Sequence, residues 1–499
     1  MQLATILVIL AVVILICLLS SKVSSWLNLP TLLLFLGVGM LFGSEGIGGL
    51  EFDNATAANY IGSVAMAFIL FSGGFDTGWK SVRSVLVTGG ILSSIGVLLT
   101  AIFVGLFAWG FLSWLRPEAH VSIAWCLLLG SIISSTDAAA VFAILRSRRV
   151  SLRGKLQPLL EFESGSNDPM AAFLTIFMVE IVAAESAGGS PLPLSGYWII
   201  LPMFLLKMTL GIALGWLLGK GTVFLYNKID FEYDGLYYVL AFVSVMLTFA
   251  GTEMVGGNGF MAVYVAGMVL GNSHFIFHNG IGKFYDGFAW LMQVILFSML
   301  GLLSFPRQIW QVKWVGLAVA AFLMFVARPA AVFIGMLRSR FSLPERLLVS
   351  WVGLRGGAPI MLATFPLMAN LNSAGLMFHI VFFIVLSSVL VQGMTIMPLA
   401  RVLKLDLPLR KNPRVPLSFE NTGTVDASSR EFIVDERVDK KTLAELGLPK
   451  GALVMLIRRE GKFLIPQGAT QLLSGDSLMI MGSDKALEQA SLLLQEKEH

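Results

Sequence analysis

Between residues 2 and 401 the chain is cut into apolar stretches, each about as long as a bilayer is thick, and few folds accept that pattern. Backbone groups in hydrocarbon find no water to bond, so each stretch must satisfy its own N–H and C=O groups as a helix. About thirteen spans fit, near 2–21, 29–43, 56–75, 84–111, 119–146, 157–184, 197–224, 235–252, 258–273, 285–304, 313–337, 345–369 and 374–401. Composition agrees: 56% of residues are hydrophobic and 13% charged, where soluble domains carry about 25% charged residues. The expectation is an all-α polytopic membrane domain. The first apolar run, Leu3 to Leu19, has no charged segment before it and is followed by more spans, so it reads as a mature helix, not a cleaved signal. Cys17 and Cys126 both lie in apolar segments, which predicts neither a disulfide nor a metal site.

Loop charge gives an orientation. One set of alternate loops holds Lys22, Lys80, Arg83, Arg146, Arg148, Arg149, Arg153, Lys155, Lys220, Lys228, Lys283, Arg338, Arg340 and Arg346; the other holds Arg116, Arg307 and Lys313. The basic side is expected in the cytoplasm, which with an odd number of spans puts the N-terminus outside and the C-terminus inside. The net charge of +4 is distributed over these short loops and does not point to nucleic acid; the expected surroundings are a lipid bilayer.

One membrane-length stretch contains Glu161-Phe-Glu163-Ser164-Gly-Ser-Asn167-Asp168-Pro169. An ionisable side chain at the bilayer centre costs roughly 2.5–3.5 kcal/mol on insertion scales, so function or pairing must offset it. On a helix, Ser164 and Asp168 share one face, and Glu163 and Asn167 the adjoining one. Pro169 has no N–H to give the Gly165 carbonyl, which is expected to be freed. A carboxylate, a hydroxyl and a loose carbonyl on one side of a helix fit a small hard cation.

Two further spans are interrupted. The fifth reads Gly130-Ser-Ile-Ile-Ser-Ser-Thr136-Asp137-Ala-Ala-Ala-Val-Phe142, and the twelfth Gly353-Leu-Arg355-Gly-Gly-Ala-Pro359. Irregular backbone at membrane depth is tolerated only inside protein or against a cavity. Interrupted spans at corresponding places in two halves, here spans 1–6 and 8–13, predict an inverted-repeat transporter with its site between them. Asp137 would then neutralise a positive half-helix N-terminus, and Arg355 a negative C-terminus or a carboxylate. Purely structural roles stand beside these, with Asp168 pinned by Asn or Ser and Asp137 architectural. Arg328 and Lys207 are expected to snorkel, Glu161 to be solvated near the cytoplasmic end, and His120, His274, His278 and His379 lack metal-ligand spacing.

The texture changes after Leu407. Arg410, Lys411, Pro413, Arg414 and Pro416 form a basic linker, expected over 406–417. Beyond it, Glu431–Val434, Ala452–Ile457, Phe463–Ile465 and Ser477–Met481 predict strands, while Lys440–Leu446 and Asp484–Leu494 predict helices. Residues 418–499 thus read as a small α+β cytoplasmic domain of about 80 residues, small enough that pairing with a second copy would help it.

At these residues the chain resembles the cation–proton antiporter family, in its NhaP-like sodium/proton-exchanger branch. The resemblance rests on Thr136-Asp137, on Glu163-Ser164-x-x-Asn167-Asp168 and on Gly353-Leu-Arg355-Gly, and covers residues 1–405. It implies a homodimer, a moving core of six helices and two unwound helices that cross. It also implies roles: Asp168 alternately holds cation and proton; Asp137, Ser164 and the Thr136 carbonyl are co-ligands; Asn167 sets span 5 against span 6; Glu163 and Arg355 form a buried structural ion pair. The tail resembles the C-terminal half of the regulator-of-potassium-conductance domain through Arg430-Glu-Phe-Ile-Val434, Leu443, Leu446, Ile465-Pro-x-Gly468, Leu473, Gly475 and Asp476. That half-domain often senses a small ligand, and exchangers that carry it look most like potassium/proton members in a prokaryotic inner membrane. No cofactor is expected beyond the transported potassium or sodium.

The expected mechanism follows. A proton and a cation compete for Asp168, and the bare carboxylate is costly to carry past hydrocarbon, so only a loaded core moves. With an amide at Asn167, one carboxylate titrates per cycle, and electroneutral exchange is expected. A sodium/proton antiporter is the alternative within this class. A ligand-gated cation channel would need a filter loop of carbonyls such as Thr-Val-Gly-Tyr-Gly, which the sequence lacks. Gly73-Gly-Phe-Asp76 suggests an intramembrane aspartyl protease, but a second catalytic Asp motif is missing.

Overall fold

The computed structural model describes residues 3–27, 30–115, 121–137, 141–142, 144–145, 150–187, 200–408, 428–434, 438–459 and 462–494. The basic linker residues Arg410 to Pro416, Arg116, His120, and the loop arginines 146, 148 and 149 lie outside the described residues. The helices in chain order are α1 Leu3–Leu27, α2 Thr31–Phe42, α3 Ala55–Asp76, α4 Leu86–Leu115, α5 Ile123–Ile132, α6 Leu156–Ser186, α7 Ile200–Lys228, α8 Gly235–Met254, α9 Gly259–Gly271, α10 His278–Leu302, α11 Lys313–Gly335, α12 Leu343–Trp351, α13 Gly357–Met368 and α14 Ala374–Val402. Among the described residues eight of them, α3, α4, α6, α7, α8, α10, α11 and α14, are long and apolar enough to cross a membrane. The shorter apolar helices are α1, α2, α5, α9 and α13. Large apolar side chains such as Leu205, Trp216 and Leu217 on α7 are more than half exposed, as on a surface that lipid covers. The protein is integral to the membrane.

Helix starts follow ordinary capping chemistry. The Ser122 hydroxyl accepts the Ala124 N–H at 3.1 Å ahead of α5, and Asn258 Oδ1 accepts the Met261 N–H at 2.9 Å ahead of α9. Ser342 and Glu345 form a capping box at α12. Helix α6 runs unbroken through Pro169 over 31 residues, so the proline does not open it. Among the described residues, two helices depart from α geometry internally: α4 has a π-helical turn at Leu92–Gly96, and α11 one at Leu323–Ala327. The two pack together, with the Phe107 and Phe322 rings stacked at 4.0 Å. A short antiparallel pair, β1 Val150–Leu152 and β2 Asp406–Pro408, ties the segment before α6 to the segment after α14.

The chain divides into two compact units, one of residues 1–225, 234–273 and 284–409, the other of 226–233, 274–283 and 410–499. The second contains an antiparallel sheet of β3 Ser428–Ile433, β4 Ala452–Arg459, β5 Lys462–Leu464 and β6 Ser477–Gly482, in the order β3-β6-β4-β5. Helix α15, Asp484–Leu494, contributes Leu487, Ala490 and Leu494 to a core with Phe432, Val454, Ile457, Leu478 and Ile480. Arg459 clamps Asp476, Nη2 to Oδ2 at 2.7 Å and Nε to Oδ1 at 3.0 Å, and the same carboxylate accepts the Leu473 N–H. The helix expected over 440–446 is not formed; those residues make turns and a bridge from Thr442 to Gln471. Thr442 and Glu445 do build a capping box, and the Thr442 N–H holds the Glu445 carboxyl below its ordinary range. Gly447, at φ +57°, and Pro449 leave no length for a helix to follow it.

Candidate functional site

Two breaks in the helical backbone meet. Helix α5 ends at Ile132 and residues 135–137 have no regular secondary structure; α12 ends at Trp351 and residues 353–356 are likewise irregular before α13 begins. The Asp137 N–H donates to the Leu354 carbonyl at 2.8 Å, joining one break to the other. Arg355 Nη1 donates to the Ser134 carbonyl at 2.7 Å and to the Ser135 carbonyl. Those carbonyls follow the C-terminal end of α5, where acceptors lack helical partners and the dipole is negative, so a guanidinium suits them. Helix α14 braces the second break: Ser388 Oγ accepts the Arg355 N–H at 3.2 Å, and Gln392 Nε2 donates to the Trp351 carbonyl at 2.9 Å.

Helix α6 faces this junction. Ser164 Oγ donates to the Thr136 carbonyl at 2.9 Å, and Asn167 Nδ2 donates to Thr136 Oγ1 at 2.5 Å. Asn167 is wholly buried, and its amide holds α6 against the first break. Asp168 lies one residue on, half-buried, with Oδ1 enclosed and without a hydrogen-bond partner; the Asp137 carboxylate and the Ser135 hydroxyl are the groups that face it. Asp137 rests on the backbone of Gly356, where a Cβ would come within 2.6 Å of the Asp137 Cγ. Residues 136, 137, 164, 167 and 168 are therefore neighbours in space although about thirty residues of chain separate the two groups.

The expected ion pair between Glu163 and Arg355 is replaced. Glu163 pairs with Arg328 instead, Oε1 to Nη2 at 2.6 Å, both side chains about 98–99% buried at 1% and 2% exposure. Arg355 is equally buried, and its Nη1 is taken by the carbonyls after α5. Arg328 does not snorkel: it follows directly on the π turn of α11 and lies across Gly353, where a Cβ would meet its Nε at 2.7 Å. A single ionisable residue inside an apolar span was the sequence signal for it. Ser135 and Ser388 are the other site residues that the motif reading missed.

Accessibility along α6 is graded. Gln157, Glu161, Ser164, Gly165 and Asp168 are half-exposed, whereas every residue from Pro169 to Thr175 is buried. Asp168 is thus the last open position before the buried run from Pro169 to Thr175. Glu161 is half-buried and accepts the Gln157 amide at 3.0 Å. Helix α9 packs on α6 on either side of Asp168 in the chain: Asn258 Nδ2 donates to the Pro169 carbonyl at 3.1 Å, and the Tyr264 ring packs over Gly165. A separate, partly open pocket is lined by Phe173, Glu180, Lys207, Glu253 and Asn258; it holds none of the candidate ligands.

Comparison with known proteins agrees with this geometry. Residues 9–402 match the family model described as sodium/hydrogen exchanger, transmembrane, and residues 430–495 match the TrkA-C domain. The chain is 38% identical over 485 residues to the K(+)/H(+) antiporter NhaP2 of Shewanella sp. strain ANA-3, covering 95% of this chain and 81% of that protein. It is 36% identical to the K(+)/H(+) antiporter NhaP of Alkalimonas amylolytica, covering 96% and 81%. The solved structure of the sodium proton antiporter MjNhaP1 from Methanocaldococcus jannaschii superposes with a TM-score of 0.65 at 24% identity, covering 79% of this chain and all of that one, which shows a shared fold. A transmembrane exchanger model that matches from residue 9 to residue 402, over the helices that build the site, makes this chain a member of the sodium/hydrogen exchanger family.

Proposed function

We propose that the protein is a secondary antiporter that exchanges a monovalent cation for a proton, with Asp168 holding each in turn. One observation carries the reading. Around the two breaks, buried Arg328 pairs with buried Glu163, buried Arg355 lies on the carbonyls of Ser134 and Ser135, and half-buried Asp137 acts on half-buried Asp168. Two positive and three negative groups leave one negative charge, and one proton or one monovalent cation cancels it. A divalent cation would overshoot. The empty cluster keeps its charge and is costly to move against hydrocarbon, so exchange is coupled one for one and moves no net charge. Asp137, Ser164 and the Thr136 carbonyl serve as co-ligands and Asn167 as the brace between α5 and α6. Potassium is the favoured cation, because the relatives that span most of this chain are named as potassium/proton antiporters; sodium is the alternative, from the name of the MjNhaP1 structure.

The same reading has thirteen membrane helices, α1 to α11, the broken pair α12–α13, and α14, in two inverted repeats. The π turns in α4 and α11 support it, since these are the fourth element of each half, and the breaks after α5 and α12 are the fifth. The protein works as a homodimer in the cell membrane, N-terminus outside, with residues 1–405 as the transport domain and residues 418–499 as a regulatory domain in the cytoplasm. The deciding measurement is exchange in proteoliposomes with a proton-sensitive dye, adding lithium, sodium, potassium and rubidium in turn. The wild type should move protons in response to at least one of them. Asp168→Asn, which cannot release a proton, should be silent while remaining folded; cation-driven proton flux in that variant would refute the assignment.

A further inference from the structure

We propose that the Ser135 hydroxyl is a direct ligand of the transported cation and tilts the site toward larger ions. The inference rests on the antiport reading above. Ser135 is fully buried, its carbonyl is taken by Arg355, and its Oγ has no hydrogen-bond partner. The hydroxyls beside it are committed: Ser131 Oγ donates to Leu127 O at 2.8 Å, Ser134 Oγ to Ser131 O at 2.7 Å, and Thr136 Oγ1 accepts the Asn167 amide. A serine hydroxyl left unsatisfied in a buried site is unfavourable and uncommon in native structures, which points to a partner that comes and goes. The atom opposite is of the same kind. Asp168 Oδ1 is enclosed and unpartnered, and the Ser135 side chain is one of the groups that act on this carboxylate. Two enclosed oxygens of one site, each without a partner, can share a third particle.

The chemistry suits both halves of the cycle. A hydroxyl has one proton to give and two lone pairs to offer. With the proton aboard, Asp168 and Ser135 hydrogen-bond to each other. With the cation aboard, Ser135 Oγ turns a lone pair to it alongside Asp168, Asp137 and the Thr136 carbonyl. A neutral oxygen has a weaker field than a carboxylate, and added weak-field ligands favour the larger, less strongly hydrated cation.

The test uses the full-length protein in proteoliposomes with the four alkali cations. Ser135→Ala should raise the half-saturating concentration for potassium and rubidium about tenfold, the scale of one lost bond to a charged group, and that for lithium and sodium by less than about threefold. Ser135→Thr keeps the hydroxyl and should restore the wild-type order. If Ser135→Ala does not yield folded protein, Ser135→Cys substitutes a poorly coordinating atom of similar size, with the same shift expected. Equal losses for all four ions, or an unchanged order, would overturn the proposal. Absence of exchange in the wild type, or its persistence in Asp168→Asn, would instead overturn the antiport reading itself.

Discussion

Glu163 and Arg328 meet where both side chains are almost wholly buried, and the consequences of removing one partner are asymmetric. Breaking a buried pair leaves a lone charge and typically costs about 3–5 kcal/mol. Arg328→Ala should therefore lower the yield of monodisperse protein and its melting temperature before it alters any transport constant. Removing the carboxylate charge as well, in Glu163→Gln with Arg328→Ala, should recover part of the loss. A double-mutant cycle by thermal melting decides this: additive losses would mean the two residues do not interact. The same cycle with Arg355 in place of Arg328 should be closer to additive, because Arg355 acts on the carbonyls of Ser134 and Ser135 and not within ion-pair distance of Glu163.

Helix α6 carries Asp168 and packs on α9, so a core that moves with its ion would have to shift at this contact, which has one tight place. A Cβ on Gly165 would come within 2.9 Å of Tyr264 Cδ2 and closer still to other ring atoms. Gly165→Ala should slow exchange by about tenfold or more without loss of cation order, and Tyr264→Ala in the same chain should restore much of the rate; an overpacking penalty of about 1–3 kcal/mol sets that scale. An unaltered rate in Gly165→Ala would show that the contact is loose. At this scale the sequence was a good guide where the signal was hydropathy or motif chemistry. Apolar length marked the long helices, and helix breakers around Asp137 and Arg355 marked both interruptions, because neither signal depends on which face a residue presents. The partner of Glu163 was not legible, because a π turn adds a residue and rotates everything after it by about 100°, so the face of Arg328 cannot be counted from a 3.6 period. Ser135 was hidden for another reason: a run of hydroxyls reads alike until their individual hydrogen bonds are known. In the tail, the short apolar runs that became β3, β4 and β6 were readable, whereas the Thr442–Glu445 box imitated the start of a helix that never follows.

Across the whole molecule, the ion ligands and the tail are separable: the candidate cation ligands, and the Ser388 and Gln392 braces behind them, precede residue 393, and the tail sheet has its own core. Deleting residues 418–499 should leave a membrane domain that still exchanges ions in vesicles but with shifted pH or ligand dependence. A well-folded truncation with no exchange would make the tail part of the transport machine, and unchanged regulation would show that it senses nothing. The charge count in the core, two guanidinium groups against three carboxylates, also sets what the cell can do with such a protein. One-for-one exchange is blind to membrane voltage, so flux stops when the cation ratio across the membrane equals the proton ratio. With the outside more acidic by one pH unit, the stall point is a cation level about tenfold higher outside, whatever the voltage. A cell rich in potassium sits far from that point, and the protein would then act as a relief valve: it lets protons in and potassium out, fastest when the cytoplasm is alkaline and overfilled with salt.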